Sequence, residues 1–155
     1  MSPPELSARE VSDRIQISDL LTRYTVAIDT KDWELLDTCF LPDATLDYTS
    51  APGGIKGTYP DVRKWLEQAL SVFPMTQHFI SNTTVELEGD KARSRTYVIN
   101  PMGFRNEDGS LHIFTVGGYY NDRLVRTDDG WRIAERVEET AYLDGSLPEA
   151  LQIPR

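Results

Sequence analysis

The chain is poor in the residues on which most enzyme chemistry draws. Of its 155 residues one is cysteine, Cys39, and two are histidine, His78 and His112. A lone cysteine cannot close an internal disulfide, and without a C-x-x-C pair the common thiolate zinc and redox motifs are excluded. Cys39 therefore reads as a small buried hydrophobe in a protein of the reducing cytoplasm. Also missing are a Gly-rich phosphate loop, an H-E-x-x-H helix and a G-x-S-x-G elbow. Positive charge is scarce too: 16 Lys and Arg face 25 Asp and Glu, a formal net charge of -9. The acids are spread along the chain, so neither nucleic acid nor an anionic membrane, which both demand clustered Lys and Arg, is an expected partner. No apolar run approaches the roughly 18 residues of a membrane span, and the first residues do not read as a secretory leader.

What remains is enough for one core with a pocket. An apolar fraction of 39% with 10% aromatics at this length fits a single domain over 1–155, with residues 1–6 and 145–155 loose or in contacts between subunits. Ser7-Ala8-Arg9-Glu10 matches a capping box, and Val11, Ile15, Leu20, Leu21, Tyr24, Ala27 and Ile28 follow at helical spacing until about Asp29. Asp32 caps a short second helix through Trp33, Leu36 and Phe40, and Pro42-Asp43 turns into a strand at 44–48. Pro60 opens a third helix whose apolar face carries Val62, Trp65, Leu66, Ala69, Leu70 and Phe73, and Pro74 ends it. Four strands follow. Alternating Val85 and Leu87, the Gly89-Asp90 turn, strands at 92–102 and 111–125, and Asp128-Asp129-Gly130 before 131–142 make a meander. Helices gathered on one side of a curved, mainly antiparallel sheet make an α+β cone with a small-molecule pocket between the layers.

Three phrases hold most of the chemistry: Asp29 in D-T-K-D-W, Tyr48 in L-D-Y-T-S and His78 in T-Q-H-F-I. Carboxylate, phenol and imidazole are the set needed to take a proton from carbon beside a carbonyl and expel a hydroxyl. Asp29 lies where the helix dipole disfavours a carboxylate, so it is either a solvated helix end or a functional group. His78 begins the meander, and strict alternation from inward Val85 and Leu87 turns it outward unless a bulge shifts the register between them. It is either an edge histidine or the base. His112 sits in a strand apolar on both parities and reads as structural. Tyr24 and Tyr48 are core aromatics or hydrogen-bond donors to a ligand, and Arg136 is a surface ion-pair member or an inward clamp for an anion or carbonyl.

At these phrases the chain resembles the SnoaL-like branch of the nuclear transport factor 2-like superfamily, over about 27–134, and is most similar to scytalone dehydratases. The resemblance implies a cystatin-like, cone-shaped barrel, a pocket that needs no cofactor or metal, and a catalytic Asp and His, here Asp29 and His78, with Tyr48 polarising the substrate carbonyl. Ile28 and Met102 stand where those dehydratases carry a tyrosine and a histidine, which implies a more apolar pocket. Tyr24 is similar to a helix tyrosine of bile-acid dehydratase and Arg136 to an arginine of hexachlorocyclohexane dehydrochlorinase. Tyr24, Ile28, Met102, Asn121 and Arg136 are thus the expected substrate-binding residues, and a homo-oligomer, trimer or dimer, is the expected assembly. The function so implied is a cofactor-independent dehydratase acting on a hydrophobic polyketide-, steroid- or terpenoid-like ring. An isomerase or cyclase using the same proton abstraction, or a small-molecule binder without catalysis, stand as alternatives.

Overall fold

The computed structural model describes residues 4–147. The first helix, α1 (Ala8–Thr30), starts on the capping box: Ser7 Oγ accepts from the Glu10 N–H at 3.2 Å, and Glu10 accepts from the Ser7 N–H at 2.8 Å. Its end is set by Lys31, whose φ of 55° breaks the helical path. The buried stripe is Asp13, Ile17, Leu20, Leu21, Tyr24, Ala27 and Ile28. Val11 and Ile15, expected on that face, are 44% and 57% exposed. Asp13 takes their place because Arg126 and the Trp131 indole N–H, remote in sequence, donate to it at 2.5 and 3.2 Å.

Asp32 caps α2 (Trp33–Asp37) by accepting from the Leu35 N–H at 2.9 Å. This helix is shorter than expected, since Phe40 already belongs to β1 (Phe40–Asp47). A short β2 (Lys56–Thr58), too brief to leave a pattern in the sequence, pairs antiparallel with β1 and leads into α3 (Tyr59–Leu70), with Pro60 in its first turn. The remaining strands are β3 (Met75–Thr76), β4 (Phe79–Glu88), β5 (Lys91–Arg105), β6 (Leu111–Thr127) and β7 (Gly130–Asp144).

They form one sheet in the order β2-β1-β7-β6-β5-β3, with β4 also on β5. Among the described residues only the β1–β7 pair is parallel. Register shifts between β6 and β7 at Gly117/Gly118 and Arg123/Leu124 raise the local twist and curl the sheet around the helices. At the first of these a Cβ on Gly118 would lie 2.2 Å from the Glu139 carbonyl oxygen, so only glycine permits the approach. This curled half-barrel with helices at its N-terminal end is the expected α+β cone.

The core lies between the layers. Ile17, Leu20, Tyr24, Val62 and Leu66 from the helices meet Leu46, Val98, Phe114, Leu124, Trp131 and Ile133 from the sheet. Within it Arg136, fully buried, donates through Nε and Nη2 to both Asp122 oxygens at 2.7 Å, and its guanidinium lies 4.1 Å from the ring centres of both Tyr24 and Tyr120. Among the described residues no helix is long and apolar enough to cross a membrane.

Candidate active site

Asp29 stands in the last turn of α1, and Lys31 Nζ ties that turn to the Phe73 carbonyl at 2.6 Å, just ahead of β3. The carboxylate accepts from Thr76 Oγ1 at 3.0 Å and from the His78 backbone N–H at 2.8 Å, and it meets His78 Nδ1 at 2.6 Å. Partial burial pushes the Asp29 pKa up, but the His78 imidazole and N–H and the Thr76 hydroxyl outweigh it and hold the carboxyl below its ordinary value. An ionised carboxylate only accepts, so Nδ1 carries the hydrogen and Nε2 is left as the basic nitrogen. These contacts compensate the unfavourable pole of the helix dipole at Asp29.

Inward placement of His78 depends on a bulge. The pairs Thr76↔Met102 and Phe79↔Ile99 share one register, which puts His78 opposite Asn100 and turns even-numbered residues toward the cavity. Between Ser81 and Thr84 the register shifts, with Asn82 at a φ of 51°, and from there Val85 and Leu87 face the core instead. The His78 side chain is consequently only 5% exposed.

His78 forms part of the wall of a cavity of about 310 Å³ whose other walls include Ile28, Trp65, Phe73, Val98, Met102 and Phe114. Tyr24 and Tyr48 also line it, their hydroxyls 3.0 Å apart, and burial raises both phenol pKa values so that each remains a proton-bearing donor. Tyr48 is fixed by the loop that follows it: its N–H donates to Ile55 and its carbonyl accepts from Ala51. The loop folds back so closely that a Cβ on Gly54 would lie 1.7 Å from the Tyr48 carbonyl oxygen. Leu147 lines the same cavity, so this part of the C-terminal segment is packed; residues 1–3 and 148–155, also expected to be loose or in subunit contacts, lie outside the described residues.

Two expected ligand contacts are placed elsewhere. Asn121 is on the outer face of β6, because inward Tyr120 and Asp122 flank it in alternation; it accepts from Arg95 at 2.6 Å and borders a separate polar concavity of about 330 Å³. Arg136 points inward but lies behind Tyr24 and Tyr120, with Nε and Nη2 on Asp122 and Nη1 buried without a hydrogen-bond partner, and does not line the cavity. His112 Nε2 meets the Ser146 carbonyl at 2.8 Å, away from the cavity. Cys39 is fully buried, which raises its thiol pKa.

Sequence reasoning missed two polar residues of the cavity, Asn100 and Glu138. Asn100 was findable as the residue opposite His78, and Glu138 as the second residue after an inward Arg136. Asn100 Oδ1 is buried without a partner. Burial pushes the Glu138 pKa up to about 7, against a smaller lowering by Arg136. Among the described residues no group of three or more His, Cys, Asp or Glu is placed to hold a metal ion.

Comparison with known proteins places this geometry in context. A family model described as a SnoaL-like domain matches residues 9–137. The uncharacterized protein Rv2910c of Mycobacterium tuberculosis is 44% identical over 137 residues, covering 88% of this chain and 91% of that protein. Among solved structures, a "putative scytalone dehydratase" from Novosphingobium aromaticivorans superposes with a TM-score of 0.78 at 22% identity, over 90% of this chain and 91% of that one. A type 2 hexachlorocyclohexane dehydrochlorinase, LinA, superposes with a TM-score of 0.74 at 17% identity, over 89% of this chain and 91% of that one. At these identities the two structures share the fold alone.

Proposed function

The chain belongs to the SnoaL-like domain family of the nuclear transport factor 2-like superfamily, and we propose that it is a cofactor-independent dehydratase acting on an uncharged cyclic ketone. The observation that carries this reading is the 2.6 Å contact between Asp29 and His78, with the imidazole in the wall of a mainly apolar cavity. Two proteins sharing the fold are described as a dehydratase and a dehydrochlorinase, both names for eliminations.

In the proposed reaction His78 Nε2 removes a proton from the carbon next to the substrate carbonyl. Asp29 fixes the tautomer and stabilises the imidazolium that forms. Charge moves onto the carbonyl oxygen, where Tyr48, held by Tyr24, donates a hydrogen bond. The resulting enolate re-forms its carbonyl as the double bond shifts and the β-hydroxyl leaves with the C–O electron pair. That hydroxyl takes up the proton held by the His78 imidazolium and departs as water, which restores the neutral base. Loss of water is redox-neutral, so the step needs no electron carrier. The cavity, about 310 Å³, is at the lower end of the range for ligand pockets, which favours a compact polyketide- or terpenoid-like ring system over a larger one.

The test is conversion of 3-hydroxy-1-tetralone to α-naphthol, followed by product fluorescence. Wild-type protein should accelerate it, and His78→Ala should abolish the acceleration. No acceleration with this or homologous cyclic β-hydroxyketones would reject the dehydratase reading.

A further inference from the structure

Glu138 is a carboxyl group in the cavity wall for which the mechanism above has no use. It is on β7, directly opposite Tyr120 on β6, and both line the cavity. His78 lies next to β4, three strand positions away across β6 and β5, but the curl of the sheet brings it back toward the phenols, and its ring centre lies 6.3 Å from that of Tyr24. Glu138 itself, opposite Tyr120, belongs to the phenol end of the cavity, with Tyr24 of α1, Tyr48 after β1, Tyr120 of β6 and Arg136 of β7 as its titratable or charged neighbours.

None of these neighbours neutralises it. Arg136 has committed Nε and Nη2 to Asp122, its Nη1 is buried without a hydrogen-bond partner, and no Arg136–Glu138 ion pair forms within 4.0 Å. The Glu138 carboxyl takes no hydrogen bond from any described side chain or backbone group, and only its main-chain carbonyl is used, by Ser50 Oγ at 2.9 Å. Among the described residues no Lys or Arg lines the cavity. A carboxyl group so placed favours its neutral form, in agreement with the rise of its pKa to about 7, and a neutral carboxyl offers one O–H donor.

We propose that Glu138 acts as an uncharged carboxylic acid that donates a hydrogen bond to a ketone oxygen at the phenol end of the cavity, and so selects neutral ketones over carboxylates and amines. An organic anion would meet no cationic side chain among the described residues of the cavity wall, and the Asp29 carboxylate stands behind His78. For a ketone, the acid and the Tyr48 hydroxyl supply two donors to one oxygen, the arrangement that stabilises a developing enolate. This deepens the dehydratase reading by naming the selector of its substrate class, and it rests on that reading only for the use made of the bound ketone.

Binding of α-tetralone, which does not titrate, tests it by quenching of Trp65, a cavity residue. Affinity should fall at least about tenfold between about pH 5.5 and about pH 8.5 in the wild type, as the donor O–H becomes an acceptor carboxylate facing the ketone oxygen. Glu138→Gln keeps an N–H donor and should bind with little pH dependence, whereas His78→Ala should retain the wild-type pH profile. A flat wild-type profile, an unchanged profile in Glu138→Gln, no measurable binding at any pH, or tighter binding of 2-aminotetralin than of α-tetralone would each overturn the proposal. Deuterium exchange beside the carbonyl of bound α-tetralone separates the two ideas. A Glu138-dependent binding profile without exchange leaves the selector standing and rejects the elimination chemistry, and exchange with a flat profile does the reverse.

Discussion

At the scale of single residues, the three hydrogen bonds on Asp29 carry the proposed chemistry. Asp29→Asn can still accept from Nδ1 but cannot stabilise an imidazolium, and its amide N–H allows the wrong tautomer; turnover of 3-hydroxy-1-tetralone should drop by about a thousandfold or more with the melting temperature little changed. Tyr48→Phe should cost about a hundredfold in kcat through loss of one donor to the enolate oxygen. Near wild-type rates in both would contradict the assigned roles. Glu138 gives a prediction about stability. Its folded pKa, about 7, lies above the ordinary 4.5, so the unfolded chain ionises first as pH rises. The contribution of Glu138 is fully present below about 4.5 and is lost as pH rises through about 7, a change of up to about 3 kcal/mol. Glu138→Gln should therefore gain on wild type across that window and hold a constant advantage above it, read from urea midpoints at a series of pH values. A difference independent of pH would show that Glu138 is not buried as described.

At the scale of elements, Asn82 decides which face His78 presents. Its φ of 51° switches β4 from even-inward to odd-inward. Asn82→Gly should be nearly neutral, whereas Asn82→Val, with a branched side chain in the left-handed region, should lose about 1–2 kcal/mol in urea unfolding. Equal stability of the two variants would mean that this residue does not set the bulge. The same element shows how much the sequence discloses. A bulge between His78 and Val85 was legible as a requirement, because no regular strand turns both inward, but the residue that makes it was not, since Asn reaches the left-handed region only somewhat more readily than its neighbours. The capped helices, the hairpin turns and the Asp29, Tyr48 and His78 phrases were legible because each is a local pattern. Faces set by remote partners were not: Asp13 displaced Val11 and Ile15 because Arg126 and Trp131 reach it from more than 110 residues away. Asn121 was assigned one residue out of step with inward Tyr120, and Glu138 was overlooked because its parity follows from the bulge at Arg123/Leu124.

At the scale of the whole molecule, the buried Arg136–Asp122 pair joins β6 and β7 to α1, with its guanidinium against Tyr24. Asp122→Leu leaves that guanidinium uncompensated in the core and should cost about 3–5 kcal/mol in urea unfolding. Adding Arg136→Met should return much of the loss, and no recovery in the double variant would show that the pair is not a self-contained unit. The pair also backs the tyrosines of the cavity, so cavity and scaffold share one packed unit, with His78, oriented by Asp29, the phenols and Glu138 all in the cavity wall and the His78 and Tyr24 ring centres 6.3 Å apart. The central claim is that His78, oriented by Asp29, removes a proton from carbon beside a carbonyl bound in this cavity. Its most direct test is deuterium incorporation into α-tetralone at that carbon in deuterated buffer, followed by proton NMR. Wild-type protein should speed the exchange well above the buffer rate, with His78→Ala reduced to the buffer rate and Asp29→Asn close to it. Exchange equal in wild type and His78→Ala, or absent while α-tetralone binds, would contradict the claim.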